Sequence, residues 1–482
     1  MVKINQVSEP LEGAVLEEVT KGVMLGILAA GKESDSSYQQ HHEAPKQAQS
    51  SSWFGTTRNH MAAVTTKKHQ TFPWDAEAVK LITGSRQDQA NKPLGAILNE
   101  DLNLNLLTEF ESSPAVADPN APQEWNTRSW KTDDDNKIHG YIAQNDDMVV
   151  LAFSSRQSAF DWMADVDTST AFWKNNLSSS TISNEELPIS SPSMLCGFFG
   201  GGASMCQSPS MITVNRYFYQ LFLDVWPKIQ QHIQVVLRAS GRPRTLHIVG
   251  HSIGGAIATL VGCHLILEYD WNRLPHDLVV VNSGSPRVIS PQLKAMIEAR
   301  RRVFALNVRV YRVVKGSDAI ITLPPPRSSG GLEHLVDPIF ITDSGEVGWH
   351  LMGEAFDTNV RVLRKGLQNA HLSKFVQHHQ QDVGEGRDDV DYSLGARSDS
   401  FEYSKLVSRL PKALRDHLPT SYLQPLLNAQ GWRYGSIREC FSEESYTQTP
   451  EQRQAKARHN RSKPANYVPK RFLREHPEEI HW

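Results

Sequence analysis

The chain has 482 residues with 50 Lys and Arg against 53 Asp and Glu, a net charge of −3. That balance selects no strongly charged partner and gives no sign of a nucleic-acid surface. Hydrophobic residues make up 39% and charged residues 21%, as in a globular protein that also carries polar segments, and no apolar run reaches the ~18 residues of a spanning helix. Cys196, Cys206, Cys263 and Cys440 form neither a C-x-x-C nor a zinc spacing, so no metal is expected. Cys263 reads as a small core residue, and a reduced, intracellular chain is simpler than a bridge from Cys196 to Cys206.

In chain order, Leu11, Val15, Val19, Val23 and Ile27 recur every four residues and predict an amphipathic helix that either docks on the main domain or lies on a membrane surface, its acidic polar face favouring docking. The short apolar stretch Gly22 to Ala30 follows Glu9, Glu12, Glu17 and Glu18 where a secretory leader would carry basic residues, so no cleavable signal is read. Gly31 to Thr57 is Ser-, Gln- and His-rich and reads as a linker. Trp74 to Ile82 predicts a short helix; Asn99 to Asn120 carries little pattern. Lys137 to Gln144 and Met148 to Phe153 are apolar runs around Asn145-Asp146-Asp147, the pattern of a hairpin. A polar stretch follows, containing the bulky pair Phe172-Trp173. Asn215 to Arg238 has helical spacing, Leu246 to Val249 is a β-branched run, and a long apolar helix starts at Ile253. Asp277 to Val281 and Arg309 to Val314 are further strands. Strands alternating with helices predict a mainly parallel sheet covered on both faces, with chemistry at the carboxyl ends of its strands.

At one such end lies Gly250-His251-Ser252-Ile253-Gly254, a G-x-S-x-G where a strand hands over to a helix. Such a turn needs glycines on either side of a serine in strained geometry, and points the Oγ at a helix N-terminus. A serine nucleophile needs a base to take its proton and a carboxylate to orient that base. Asp318 ends the strand Arg309 to Val314 and fits as the acid; Asp337 and Asp343 follow no comparable strand. Among the later histidines His334, His350, His371, His378 and His379, the loop-to-helix position of His371 selects it as the base.

These residues together resemble the class 3 lipases, a branch of the α/β-hydrolases. The resemblance runs from about Trp125 to Phe375. Phe153, Ser158, Asp161, Trp162 and Asp165 match a block F-R-G-T-x-S followed by D-W-x-x-D, and Gly197-Phe198 matches H-x-G-F. Gly250 to Gly255 is similar to G-H-S-L-G-G; Gly284, Pro286, Arg287 and Val288 match G-x-P-R-V; Asp318 with Leu323-Pro324-Pro325 resembles D-x-V-P-x-L-P-P. His334 resembles a second, non-catalytic histidine, and His371-Leu372-Ser373 with Phe375 the terminal H-L-x-Y-F.

The resemblance implies an α/β-hydrolase fold with a mainly parallel central sheet, a lid segment and N- and C-terminal extensions. It implies a triad of Ser252, Asp318 and His371, an oxyanion hole from the N–H groups of Ile253 and Arg156, and no cofactor. The lid would lie between Asp165 and Gly197, with Phe172 and Trp173 either over the acyl pocket or as ordinary core contacts of a long loop. The expected activity is hydrolysis of lipid carboxylic esters, acylglycerols among them, through an acyl-enzyme. The expected setting is the cytoplasm or the periphery of an intracellular lipid surface, with membrane or lipid-droplet contact. The chain departs from the pattern in three places: Arg-Gly-Thr becomes Ser154-Ser155-Arg156, Cys196 stands for the histidine before G-F, and Ile289-Ser290 for the G-N after P-R-V. The first change motivates a second reading, a catalytically weak lipase-like scaffold that binds protein or lipid. The expected division is 1–75 for an N-terminal helix and linker, 76–380 for the hydrolase domain and 381–482 for a linker, short helices and a basic tail.

Overall fold

A computed structural model describes residues 9–11, 13–31, 73–83, 92–112, 138–155, 169–173, 212–238, 244–304, 307–325, 331–349 and 410–430. Among them, nine strands form one sheet. They are β1 (Glu9–Pro10), β2 (Asn105–Glu111), β3 (Ile138–Gln144), β4 (Met148–Ser155), β7 (Thr245–His251), β8 (Asp277–Ser283), β9 (Val308–Lys315), β10 (Pro338–Ile341) and β11 (Val347–Trp349). A separate two-stranded ladder joins β5 (Thr170–Phe172) to β6 (Thr213–Asn215). The sheet order is β1-β11-β10-β9-β8-β7-β4-β3-β2. The middle of the sheet, from β4 through β7, β8 and β9 to β10, is parallel, and the pairs toward both edges are antiparallel. The expected hairpin is present: β3 and β4 pair across Asn145, whose Oδ1 accepts the N–H groups of Asp147 and Met148.

Helices cover both faces. On one lie α3 (Arg216–Arg238), α4 (Ile253–Glu268) and α5 (Pro291–Val303). α4 is buried from Ile253 to Leu267, as expected of a helix apolar all round, and Gly262 lets it approach β8, where an added Cβ would stand 2.7 Å from a Val280 methyl. The strands supply this layer by alternation: Leu246 and Ile248 of β7 face it while Val249 faces the other.

On the opposite face lie α1 (Gly13–Gly31), α2 (Pro73–Thr83) and part of the segment 410–430. The four-residue apolar spacing of α1 does place Val19, Val23 and Ile27 in the core. Burial extends beyond that stripe to Met24, Leu25 and Leu28, because the helix lies across β4, β7 and β8 and under α2. Three polar contacts fix it: Tyr141 donates to the Leu25 carbonyl (2.9 Å), His139 Nε2 to the Ala29 carbonyl (2.8 Å), and Glu18 pairs with Arg309 (3.0 Å). The N-terminal helix, assigned from sequence to a region outside the hydrolase unit, thus shares its core.

The segment 410–430 holds α6 (Lys412–Arg415) and α7 (Pro419–Ala429). Leu410, Leu414 and Leu418 join the core on the α4 side, whereas Tyr422, Leu423, Leu426 and Leu427 join that on the α1 side. The chain therefore passes from one face of the sheet to the other, and the turn between the two leucine sets is carried past the ends of the central strands. Here too the structure packs against the sheet a stretch expected beyond it, as short helices after residue 381. Six strands, β1, β2, β5, β6, β10 and β11, had no counterpart in the sequence reading. β2 is polar and half-exposed, and β10 and β11 are only four and three residues long. Among the described residues no helix is long and apolar enough to cross a membrane.

Candidate active site

β7 runs directly into α4, and Ser252 takes the turn with φ 57° and ψ −124°. A non-glycine residue at positive φ is strained and persists only where its surroundings over-determine it. Here the glycines do so. A Cβ on Gly250 would sit 2.3 Å from the Gly254 carbonyl oxygen, and one on Gly254 would sit 2.1 Å from the Phe153 oxygen. The Ser252 N–H is held by the Ser283 carbonyl at 2.8 Å. Ile253 opens α4, so its N–H is among those that lack an intrahelical acceptor. The contact of Gly254 with Phe153 and Ser154 also sets the end of β4 against this first turn. Arg156 lies outside the described residues.

Asp318 follows β9 by way of Gly316 and Ser317, and is 1% exposed. Its Oδ1 accepts the Ile320 N–H at 2.8 Å. Its Oδ2 accepts from His417 Nδ1 at 2.9 Å and from the Tyr422 hydroxyl. His417 Nε2 lies 2.9 Å from Ser252 Oγ. With Nδ1–H given to the carboxylate, Nε2 is the acceptor for the serine proton.

The imidazole between Ser252 and Asp318 is thus that of His417 and not of His371, the residue expected from sequence, which lies outside the described residues. His350, His378 and His379 also lie outside them. His334 donates to the Ile321 carbonyl at 2.7 Å, and Asp343 pairs with Lys412. A signal for His417 was present. The block H-L-x-Y-F ends on a tyrosine and a phenylalanine, but Lys374 stands where His371 would need the tyrosine. His417-Leu418 is followed by Tyr422, whose hydroxyl reaches the same carboxylate oxygen.

A second histidine supports the first. His251 stacks on the His417 ring, centroids 5.1 Å apart. Its Nε2 donates to the His417 carbonyl (3.1 Å), which leaves Nδ1 to accept from the Ser283 hydroxyl (2.9 Å). Burial, first, and the neighbouring His417 ring hold its basicity well below the usual histidine range, so it stays neutral. Burial and the Asp318 carboxylate raise the Tyr422 phenol well above its usual range, which keeps it a donor.

The pair Phe172-Trp173 is split. Strand alternation leaves Phe172 61% exposed, while Trp173 is buried against Tyr219 and Phe222 of α3, with ring centroids 5.4 and 5.9 Å away. Trp173 is therefore a core contact of the β5–β6 ladder, not a flap over the serine. The rest of the expected lid lies outside the described residues.

Residues 150–328 match the family Lipase (class 3). Over 166 residues the chain is 31% identical to Lipase A of Sodiomyces alcalophilus, covering 32% of this chain and 37% of that one. It is 26% identical over 220 residues to the secreted mono- and diacylglycerol lipase 2 of Gibberella zeae, covering 42% and 46%. The chain thus spans less than half the length of these curated relatives. Among solved structures, lipase II from Rhizopus niveus aligns over 55% of this chain and 74% of its own, at 16% identity and a TM-score of 0.33. Ser252 and Asp318 lie within the matched residues, and His417 lies beyond them. Its mainly parallel sheet and strand-elbow-helix are those of an α/β-hydrolase fold, and residues 150–328, less than half of the chain, are similar to the class 3 lipase family.

Proposed function

We propose that the chain hydrolyses carboxylic esters of lipids through a triad of Ser252, His417 and Asp318. The observation that carries this reading is the His417 ring, 2.9 Å from both Ser252 Oγ and Asp318 Oδ2. As Ser252 Oγ attacks the ester carbonyl, His417 Nε2 takes its proton and Asp318 stabilises the imidazolium. The oxyanion of the tetrahedral intermediate is held by the N–H groups of Ile253 and Arg156. Collapse expels the alcohol with a proton from His417. Water activated by the same nitrogen then releases the fatty acid. The relatives named as lipases, one of them a mono- and diacylglycerol lipase, support an acylglycerol as substrate and a lipid surface as its setting. On that surface Phe172, rather than Trp173, is the apolar contact at the lid side.

The test is labelling by a fluorophosphonate probe together with ester turnover. Wild type and His371→Ala are expected to label. Ser252→Ala and His417→Ala should lose labelling and at least about 10⁴-fold in kcat. Labelled His417→Ala beside unlabelled His371→Ala would return the base to His371. An unlabelled wild type would favour the scaffold reading that Ser154-Ser155-Arg156 prompted.

A further inference from the structure

We infer that Asp416 is a positioning residue that locks the loop carrying the acid to the segment carrying the base. This rests on the assignment of His417 as the base. The acid and the base lie 99 residues apart in sequence, so their register has to be set by contacts other than the Asp318–His417 hydrogen bond itself.

Those contacts flank Asp318 on both sides. Before it, the Ser317 N–H donates to Asp416 Oδ2 at 2.7 Å. After it, the Ala319 N–H donates to the Ala413 carbonyl at 3.1 Å. The segment 413–416 therefore grips the backbone on either side of the acid, and the residue after it is His417. Asp416 is only 7% exposed, and a buried carboxylate needs its lone pairs answered. Lys412 Nζ, one helical turn back, answers it at 2.6 Å and reaches Asp343 Oδ1, after β10, also at 2.6 Å. The carboxylate thus joins the base segment to the loop after β9, and through Lys412 to the loop after β10.

The opposite wall of this clamp is shaped to receive it. Gly316 has φ +44°, and a Cβ there would stand 2.4 Å from Asp416 Oδ2. Glycine at 316 meets two requirements at once, the left-handed backbone and room for the carboxylate. Lys315, just before it in the chain, is turned to the Thr342 carbonyl. Among the described residues no hydrogen bond joins Asp416, Lys412 or Gly316 to Ser252, so the effect of the clamp on chemistry passes through the orientation of His417 and Asp318.

A misplacement of about 1 Å in a catalytic group can cost 10²-fold in rate. Asp416→Ala is expected to lower kcat by about 10- to 100-fold and slow fluorophosphonate labelling in parallel, with KM within about twofold. Asp416→Asn keeps an oxygen for the Ser317 N–H and should recover to within about threefold of wild type. Gly316→Ala pushes on the same carboxylate from the other side and should reproduce the kcat loss. It carries the test if Asp416→Ala does not fold. In the double variant the two losses should combine to less than their product, because the clash needs the carboxylate. Unchanged kcat in Asp416→Ala or in Gly316→Ala, beside an inactive His417→Ala, would overturn the clamp alone. An active His417→Ala would instead remove the base assignment, and the clamp with it.

Discussion

A methyl group on Gly254 would stand 2.1 Å from the Phe153 carbonyl oxygen, far inside any contact real atoms make. Gly254→Ala must therefore push β4 and α4 apart at the elbow. We expect a loss of about 3 kcal/mol in stability, the upper end for over-packing, together with loss of labelling at Ser252, read by thermal melting and the fluorophosphonate probe. The elbow was legible in sequence because all its parts are local: glycines on either side, a β-branched run before, a helix after. His417 left only a faint local signal, because its partner Ser252 lies 165 residues away and the family match ends at residue 328. A pattern read along the chain ranks histidines by their neighbours. Only packing decides which ring arrives at the serine.

Helix α1 shows what an element-scale pattern does and does not convey. Its four-residue spacing announced a helix with one apolar side, and Val19, Val23 and Ile27 are indeed in the core. What the spacing could not convey is that the partner surface is the sheet beneath Ser252. Gly26 lies against the backbone of Gly250, where an added Cβ would stand 3.0 Å from its Cα. Toward the helix N-terminus, Glu18 accepts two of its hydrogen bonds from Arg309 at 3.0 Å. Both side chains keep about a fifth of their exposure, so Glu18→Ala should cost about 1.5 kcal/mol, the low end for hydrogen bonds to charged groups, measurable by urea unfolding. A related reason hides other strands: β2, at the sheet edge, is half-polar, and β10 and β11 are so short that their identity lies in the neighbours they pair with.

For the molecule as a whole, the division at residues 76 and 380 cuts through one packed body, since α1 and α7 both bury their apolar faces on the sheet. A fragment of 76–380 should therefore expose the β4–β7–β8–β9 face and fail to show a cooperative melt, which circular dichroism would reveal. Acid should destabilise the full chain through its buried imidazoles. Burial pushes His264 down to about 3 and His247 to about 4, both below the ordinary 6.5 of the unfolded chain. Between pH 6.5 and those values the unfolded state binds protons that the folded state refuses, so stability falls as pH falls. Asp224 and Glu268, each raised to about 7 by burial, act in the opposite sense. They hold protons in the folded state that the unfolded chain releases above about pH 4, and so favour folding toward acid. His264 packs its ring against Trp226 at 4.2 Å between centroids, a place an aromatic hydrocarbon can fill. In His264→Phe the melting temperature should drop less between pH 7 and pH 5 than in wild type.

The crossing of segment 410–430 from one face of the sheet to the other has a consequence for when this protein can act. On a ribosome the nucleophile and the acid emerge well before the ring that connects them. Until residues 410–430 have been synthesised and have wrapped over the strand ends, Ser252 lacks the His417 ring and α1 has only part of its cover. Under the proposed triad, a nascent or C-terminally clipped chain carries an inert serine, and ester cleavage begins only once the segment 410–430 is in place. Labelling of Ser252 would then serve as a clock for the completion of folding.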